Sequence, residues 1–112
     1  MSIELSPVLR EIAPGLLSFW CPACEQRHAL KLRTEAHEHP SWIWNGNAER
    51  PTFEPSIHVQ ARYKADPDDP TDHDVDFVCH SFVRDGQIQF LGDCTHALAN
   101  QIVALPTFPV SR

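Results

Sequence analysis

Cys21 and Cys24 are separated by Pro22 and Ala23, the short spacing that presents two sulfurs to one metal ion. Cys79 and Cys94 stand farther along the chain. Histidines lie close to all four: His28 follows the first pair, His80 adjoins Cys79, and His96 is two residues past Cys94. Structural zinc takes four thiolate or imidazole ligands, commonly supplied as two close pairs. The preferred set is Cys21, Cys24, Cys79 and Cys94, with His28, His80 and His96 as alternates, and Zn2+ is the expected cofactor. A second chemistry competes with this staple. Asp93, Cys94, Thr95 and His96 gather polar groups near His80. They would suit a Cys–His nucleophilic pair oriented by Asp93, or a zinc-bound water served by His80 or His96. A redox role for Cys-x-x-Cys needs a helix after the motif, whereas a strand pattern follows here.

The elements that must hold these residues are strands. Leu16 to Trp20 runs straight into the knuckle, and Arg27 to Arg33 alternates with His28, Leu30 and Leu32 on one face. Residues 34–41 read as a polar connection. Trp42 to Trp44 is a short strand ending at the turn pair Asn45-Gly46. Ser56 to Tyr63 alternates again, with Ile57, Val59, Ala61 and Tyr63 on one side and His58, Gln60 and Arg62 on the other. Asp85-Gly86 predicts a two-residue hairpin turn that pairs Arg84 with Gln87. Extending that register sets Cys79 and Cys94 on one face as diagonal neighbours and turns His80 to the other face. Asp93 or Thr95 would cap a short helix beginning near Cys94, and Asn100 would end it in the left-handed conformation. Gln101 to Leu105 would then leave as an extended segment; the alternative is a longer helix to Leu105 that buries Leu98, Ile102 and Leu105.

The length predicts one domain over residues 1–112, with an acidic loop at 66–76 and a flexible tail at 107–112. Ten prolines against four glycines favour extended segments and fixed turns over long helices. A net charge of −6 disfavours nucleic acid as a partner and points to protein. Asp72-x-Asp74-x-Asp76 starts like a calcium loop. It fails where Phe77 replaces the turn glycine and Val83 the bidentate glutamate. No apolar run approaches membrane-span length, and no secretion signal opens the chain, so a reducing cytoplasm is expected. There, paired cysteines bind metal more often than they form lasting disulfides. The sequence lacks a Gly-rich phosphate loop, a His-Glu-x-x-His helix and a Gly-x-Ser-x-Gly elbow.

The stretch from Cys79 through Asp93-Cys94-Thr95-His96 to Ala99, with Cys21-Pro22-Ala23-Cys24, Trp44-Asn45-Gly46 and Pro51 to Ser56, resembles a family of small phage and prophage proteins of uncharacterised function. The resemblance implies expression inside a bacterial host cell and supplies no activity. Together these readings predict a β-rich α+β fold. It is a small zinc-stapled sheet domain with a zinc-ribbon-like knuckle, a β-hairpin and one short helix. The function expected is a binding or accessory module rather than an enzyme. A zinc- or cysteine-dependent hydrolase using His80, Asp93, Cys94 and His96 is the alternative.

Overall fold

Alternating buried and exposed side chains fold this chain into two antiparallel sheets. The computed structural model describes residues 2–34 and 40–109. In the first sheet β1 (Ile3–Ser6), β2 (Leu9–Ala13), β3 (Leu16–Cys21) and β4 (Gln26–Lys31) lie side by side in chain order. The second sheet runs β5 (Ile43–Trp44), β6 (Phe53–Lys64), β7 (Asp74–Arg84), β8 (Gln87–Phe90) and β9 (Ile102–Ala104), also in chain order. Leu9, Leu17, Phe19 and Leu30 from the first sheet share one core with Phe53, Ile57, Val83, Ile88 and Phe90 from the second. Burying each such side chain contributes about 1.5–3 kcal/mol. These contacts hold the two sheets together.

The hairpin forms as the turn chemistry dictates. Arg84 pairs with Gln87. Asp85 and Gly86 both have positive φ, 51° and 76°, as a type I′ turn requires. Gly86 has a second reason to lack a side chain, because a Cβ there would sit 3.1 Å from the Arg50 Cα. The acidic segment is shorter than the sequence implies. β6 and β7 continue to Lys64 and Asp74, joined across the strands by Lys64–Asp74 and Arg62–Asp76 ion pairs of 2.8 Å each.

The expected helix does not form: among the described residues the fold is all β. Its proposed caps bind β7 instead. Thr95 donates its N–H to the Val78 carbonyl at 3.0 Å, and its hydroxyl accepts the Val78 N–H at 3.0 Å. Asp93 faces His80. Residues after it make successive turns, Ala99 N–H to His96 O and Gln101 N–H to Leu98 O. Asn100 does take the left-handed conformation, at φ 67°, and the chain then leaves extended as β9. Of the connection read at 34–41, residues 35–39 lie outside the described residues, as do 110–112 of the tail. Within the described tail, the Phe108 ring lies under the Arg10 guanidinium, 4.1 Å from it.

Candidate functional site

Two clusters emerge, one on each face of β7. On the inner face, the knuckle between β3 and β4 is closed by a hydrogen bond from Glu25 N–H to Cys21 O at 2.9 Å, with Glu25 at φ 53°. Cys24 N–H also points at the Cys21 sulfur, 3.4 Å away. The strict alternation of β4 turns His28 inward beside Leu30. Across the core, Cys79 on β7 brings its sulfur to 3.9 Å from that of Cys21. The donor atoms of Cys21, Cys24, His28 and Cys79 all lie within 4.8 Å of one another, a group that could hold a metal ion.

The chemistry of this group favours a cation. His28 Nε2 is buried without a hydrogen-bond partner. None of the four cysteines is in a disulfide. The hydrogen bond from Cys79 is the main influence lowering the Cys21 thiol, to about 4. Burial, followed by the charge on Cys21, pushes Cys24 up to about 12. Cys79 is raised as well, chiefly through its hydrogen bond to Cys21. One thiolate therefore suppresses ionisation of the other two, and a bound divalent cation would relieve that suppression.

The structure groups His28 with three of the four expected cysteines and sets Cys94 apart. The hairpin ladder does not extend to Cys94 in the simple register. Leu91 N–H still reaches His80 O at 2.9 Å, but a turn at Gly92-Asp93 follows, closed by Cys94 N–H to Leu91 O at 3.3 Å. Four residue steps from Leu91 to Thr95 then face two from His80 to Val78. The Cys94 thiol accepts the His80 N–H and donates to the His80 carbonyl, each at 3.2 Å. It completes the ladder where the backbone has bulged away.

The second cluster surrounds His80 on the outer face. β6 carries a matching irregularity: four steps from Phe53 to Ile57 face two from Val83 to Ser81. Two extra residues preserve the inward phase of Ile57 while displacing Pro55 and Ser56. The peptide between Glu54 and Pro55 is cis. One bulge thus lies on either side of His80, and each supplies one functional group. Ser56 Oγ is 2.9 Å from His80 Nε2, and Asp93 Oδ2 is 3.0 Å from His80 Nδ1. A carboxylate only accepts, so Nδ1 carries the proton and Nε2 accepts from the serine hydroxyl. His58, directly opposite on β6, packs its ring against that of His80 in a tilted contact, with centroids 4.9 Å apart and planes 39° apart.

Of the candidates legible in the sequence, the structure brings His80 and Asp93 together. His96 is elsewhere, its Nδ1 accepting the Leu98 N–H at 3.2 Å and its ring edge-on to Phe90. Cys94 meets the backbone of His80, not its ring. Sequence reasoning missed Ser56. Its one signal is phase, since it precedes Ile57 and so shares the face of His58 and Gln60. Other serines are placed differently: the Ser18 and Ser81 hydroxyls are buried without partners, and Ser6 and Ser41 accept from Val8 N–H and Arg33 Nε.

Serine hydroxyl, imidazole and carboxylate in line are the constellation of serine hydrolases. Residues 4–91 match the family model BubE, described as the serine protease of a bacterial ubiquitination-like system. The chain belongs to that family. This corrects the reading as a phage or prophage protein, and the reading as a non-enzymatic binding module, because the family is one of proteases and so implies protein substrates. The matched segment contains Ser56 and His80 and ends two residues before Asp93. No curated protein and no solved structure is matched.

Proposed function

We propose that Ser56, His80 and Asp93 are the catalytic triad of a serine protease, with Ser56 as nucleophile. The observation that carries this reading is the His80 ring bridging Ser56 and Asp93 at 2.9 and 3.0 Å. Ser56 Oγ attacks the scissile carbonyl as its proton passes to His80 Nε2. The imidazolium returns that proton to the leaving amine, which departs and leaves an acyl ester on Ser56. Water then attacks the ester, giving a proton to Nε2, and the acid product leaves as Ser56 regains its proton. Asp93 accepts from Nδ1 throughout, holding the tautomer and stabilising the imidazolium. Ser56→Ala and His80→Ala should each abolish turnover of 4-nitrophenyl acetate, and His96→Ala should retain it. Equal losses in all three would argue against the assignment.

We further propose that Cys21, Cys24, His28 and Cys79 hold a structural Zn2+, for which three sulfurs and one imidazole are a suitable donor set. The unpartnered His28 Nε2 supports it. When bound, the ion would cross-link β3, β4 and β7. The cross-link fixes the inner face of the strand whose outer face carries His80. A bacterial cytoplasm, where thiols stay reduced, suits this donor set.

A further inference from the structure

β6 is covered by a neighbouring strand on its outer edge only at Phe53 and Glu54, where β5 pairs with it. Beyond that point no strand among the described residues pairs with this edge, although β6 continues to Lys64. The open stretch begins at the proposed nucleophile. Unpaired edges of this length invite another strand, and natural proteins usually block them. No proline interrupts residues 56–64.

Hydrogen bonds on β7 reveal which groups face that edge. The N–H and C=O of His80 both turn toward residues 91–95, where Cys94 Sγ and Leu91 N–H meet them. His80 therefore exchanges no ladder bonds with His58, its opposite residue on β6. In an antiparallel pair of that kind both backbone groups of the facing residue point away. The N–H and C=O of His58 thus project from the open edge. Val78 likewise turns its N–H and C=O to Thr95, so Gln60 opposite it also presents both groups outward. Consistent with this phase, the Ser56 carbonyl meets Trp42 Nε1 at 3.4 Å. A cavity of about 520 Å³ opens beside the same edge, lined by Pro40, Ser41, Trp42, Pro55, Ser56 and His58.

We infer that the protein substrate is recognised through an extended segment that adds as a strand to the open edge of β6. Its backbone pairs with His58 and Gln60, and an apolar side chain next to the scissile bond enters the cavity at Trp42 and Pro55. Main-chain bonds supply affinity and the cavity supplies selectivity. A tail or linker of the substrate fits this role, because its backbone groups are not already committed to the hydrogen bonds of a folded domain. This inference rests on Ser56 being the nucleophile.

Gln60→Pro tests it, since proline deletes the outward N–H without removing a β6–β7 hydrogen bond. A library of short mixed-sequence peptides is followed by mass spectrometry, beside turnover of 4-nitrophenyl acetate. The wild type should cleave library peptides, and Gln60→Pro should lower the ratio of peptide cleavage to ester turnover about tenfold, the worth of one lost hydrogen bond. In the Ser56→Ala chain, the peptide cleaved fastest by the wild type should slow exchange of the His58 and Gln60 amides. An unchanged ratio with unchanged exchange would overturn the inference, as would an intact library under a chain that turns over the ester. Loss of ester turnover in the wild type itself would instead overturn the triad reading.

Discussion

Asp93→Asn isolates the part of the triad that depends on charge. The amide is isosteric with the carboxylate, so the turn that presents it is preserved while the negative charge facing His80 Nδ1 disappears. A unit charge pair near 4 Å is worth about 1 kcal/mol in water and about 4 kcal/mol at the effective dielectric of a protein surface. His80 is 24% exposed and Asp93 54% exposed. Their interaction therefore falls between those limits, at about 2 kcal/mol, which corresponds to roughly thirtyfold in rate. The amide can also donate to Nδ1 and trap the tautomer whose Nε2 carries the proton, useless as a base toward Ser56. In a buried triad that exchange costs about 10⁴-fold. Half exposure of Asp93 places the expected loss nearer the lower figure, about 10²-fold in kcat, with KM little changed. Steady-state turnover of 4-nitrophenyl acetate, with thermal unfolding as the control on folding, measures it. A variant within twofold of the wild type would exclude a charge-dependent role for Asp93.

The thiol of Cys94 and the metal group lead to separable outcomes. Cys94→Ala leaves the His80 N–H unpaired, which costs about 1–3 kcal/mol. It should lower both thermal stability and turnover, and Cys94→Ser should recover most of both. Elemental analysis should find zinc unchanged in these variants, and zinc loss on Cys94→Ala would return Cys94 to the ligand set. His28→Ala should weaken zinc retention in a chelator competition, and Cys79→Ser should release zinc with loss of cooperative unfolding; undiminished zinc in either would contradict the proposed ligands. His80→Ala should retain zinc while abolishing turnover, because its ring lies on the opposite face of β7 from Cys79.

Local chemistry was legible in the sequence and long-range pairing was not. Cys-Pro-Ala-Cys specifies its knuckle and Asp85-Gly86 its turn within a few residues, so the β7–β8 register and the outward face of His80 followed directly. Ser56 reaches His80 only because β6 pairs with β7 and bulges by two residues. A two-residue bulge leaves the alternation of Ile57, Val59 and Ala61 in phase, so hydrophobic pattern cannot reveal it. The Gly92-Asp93 bulge was hidden in the same way, and it moved the Cys94 sulfur from the metal group to the backbone of His80. The helix reading failed because Asp93 and Thr95 found partners on β7, a tertiary contact that local capping preference cannot anticipate. Strands β1 and β2 escaped notice because Leu9 to Ala13 is half-buried along most of its length and shows little period-two contrast.

In the proposed triad, His80 activates Ser56 as a nucleophile. Treating the native chain with a fluorophosphonate and mapping the adduct by peptide mass spectrometry tests it most directly. One adduct is expected, on Ser56, and it should disappear in His80→Ala while that variant remains folded. An adduct on another serine, or equal labelling of Ser56 without His80, would contradict it.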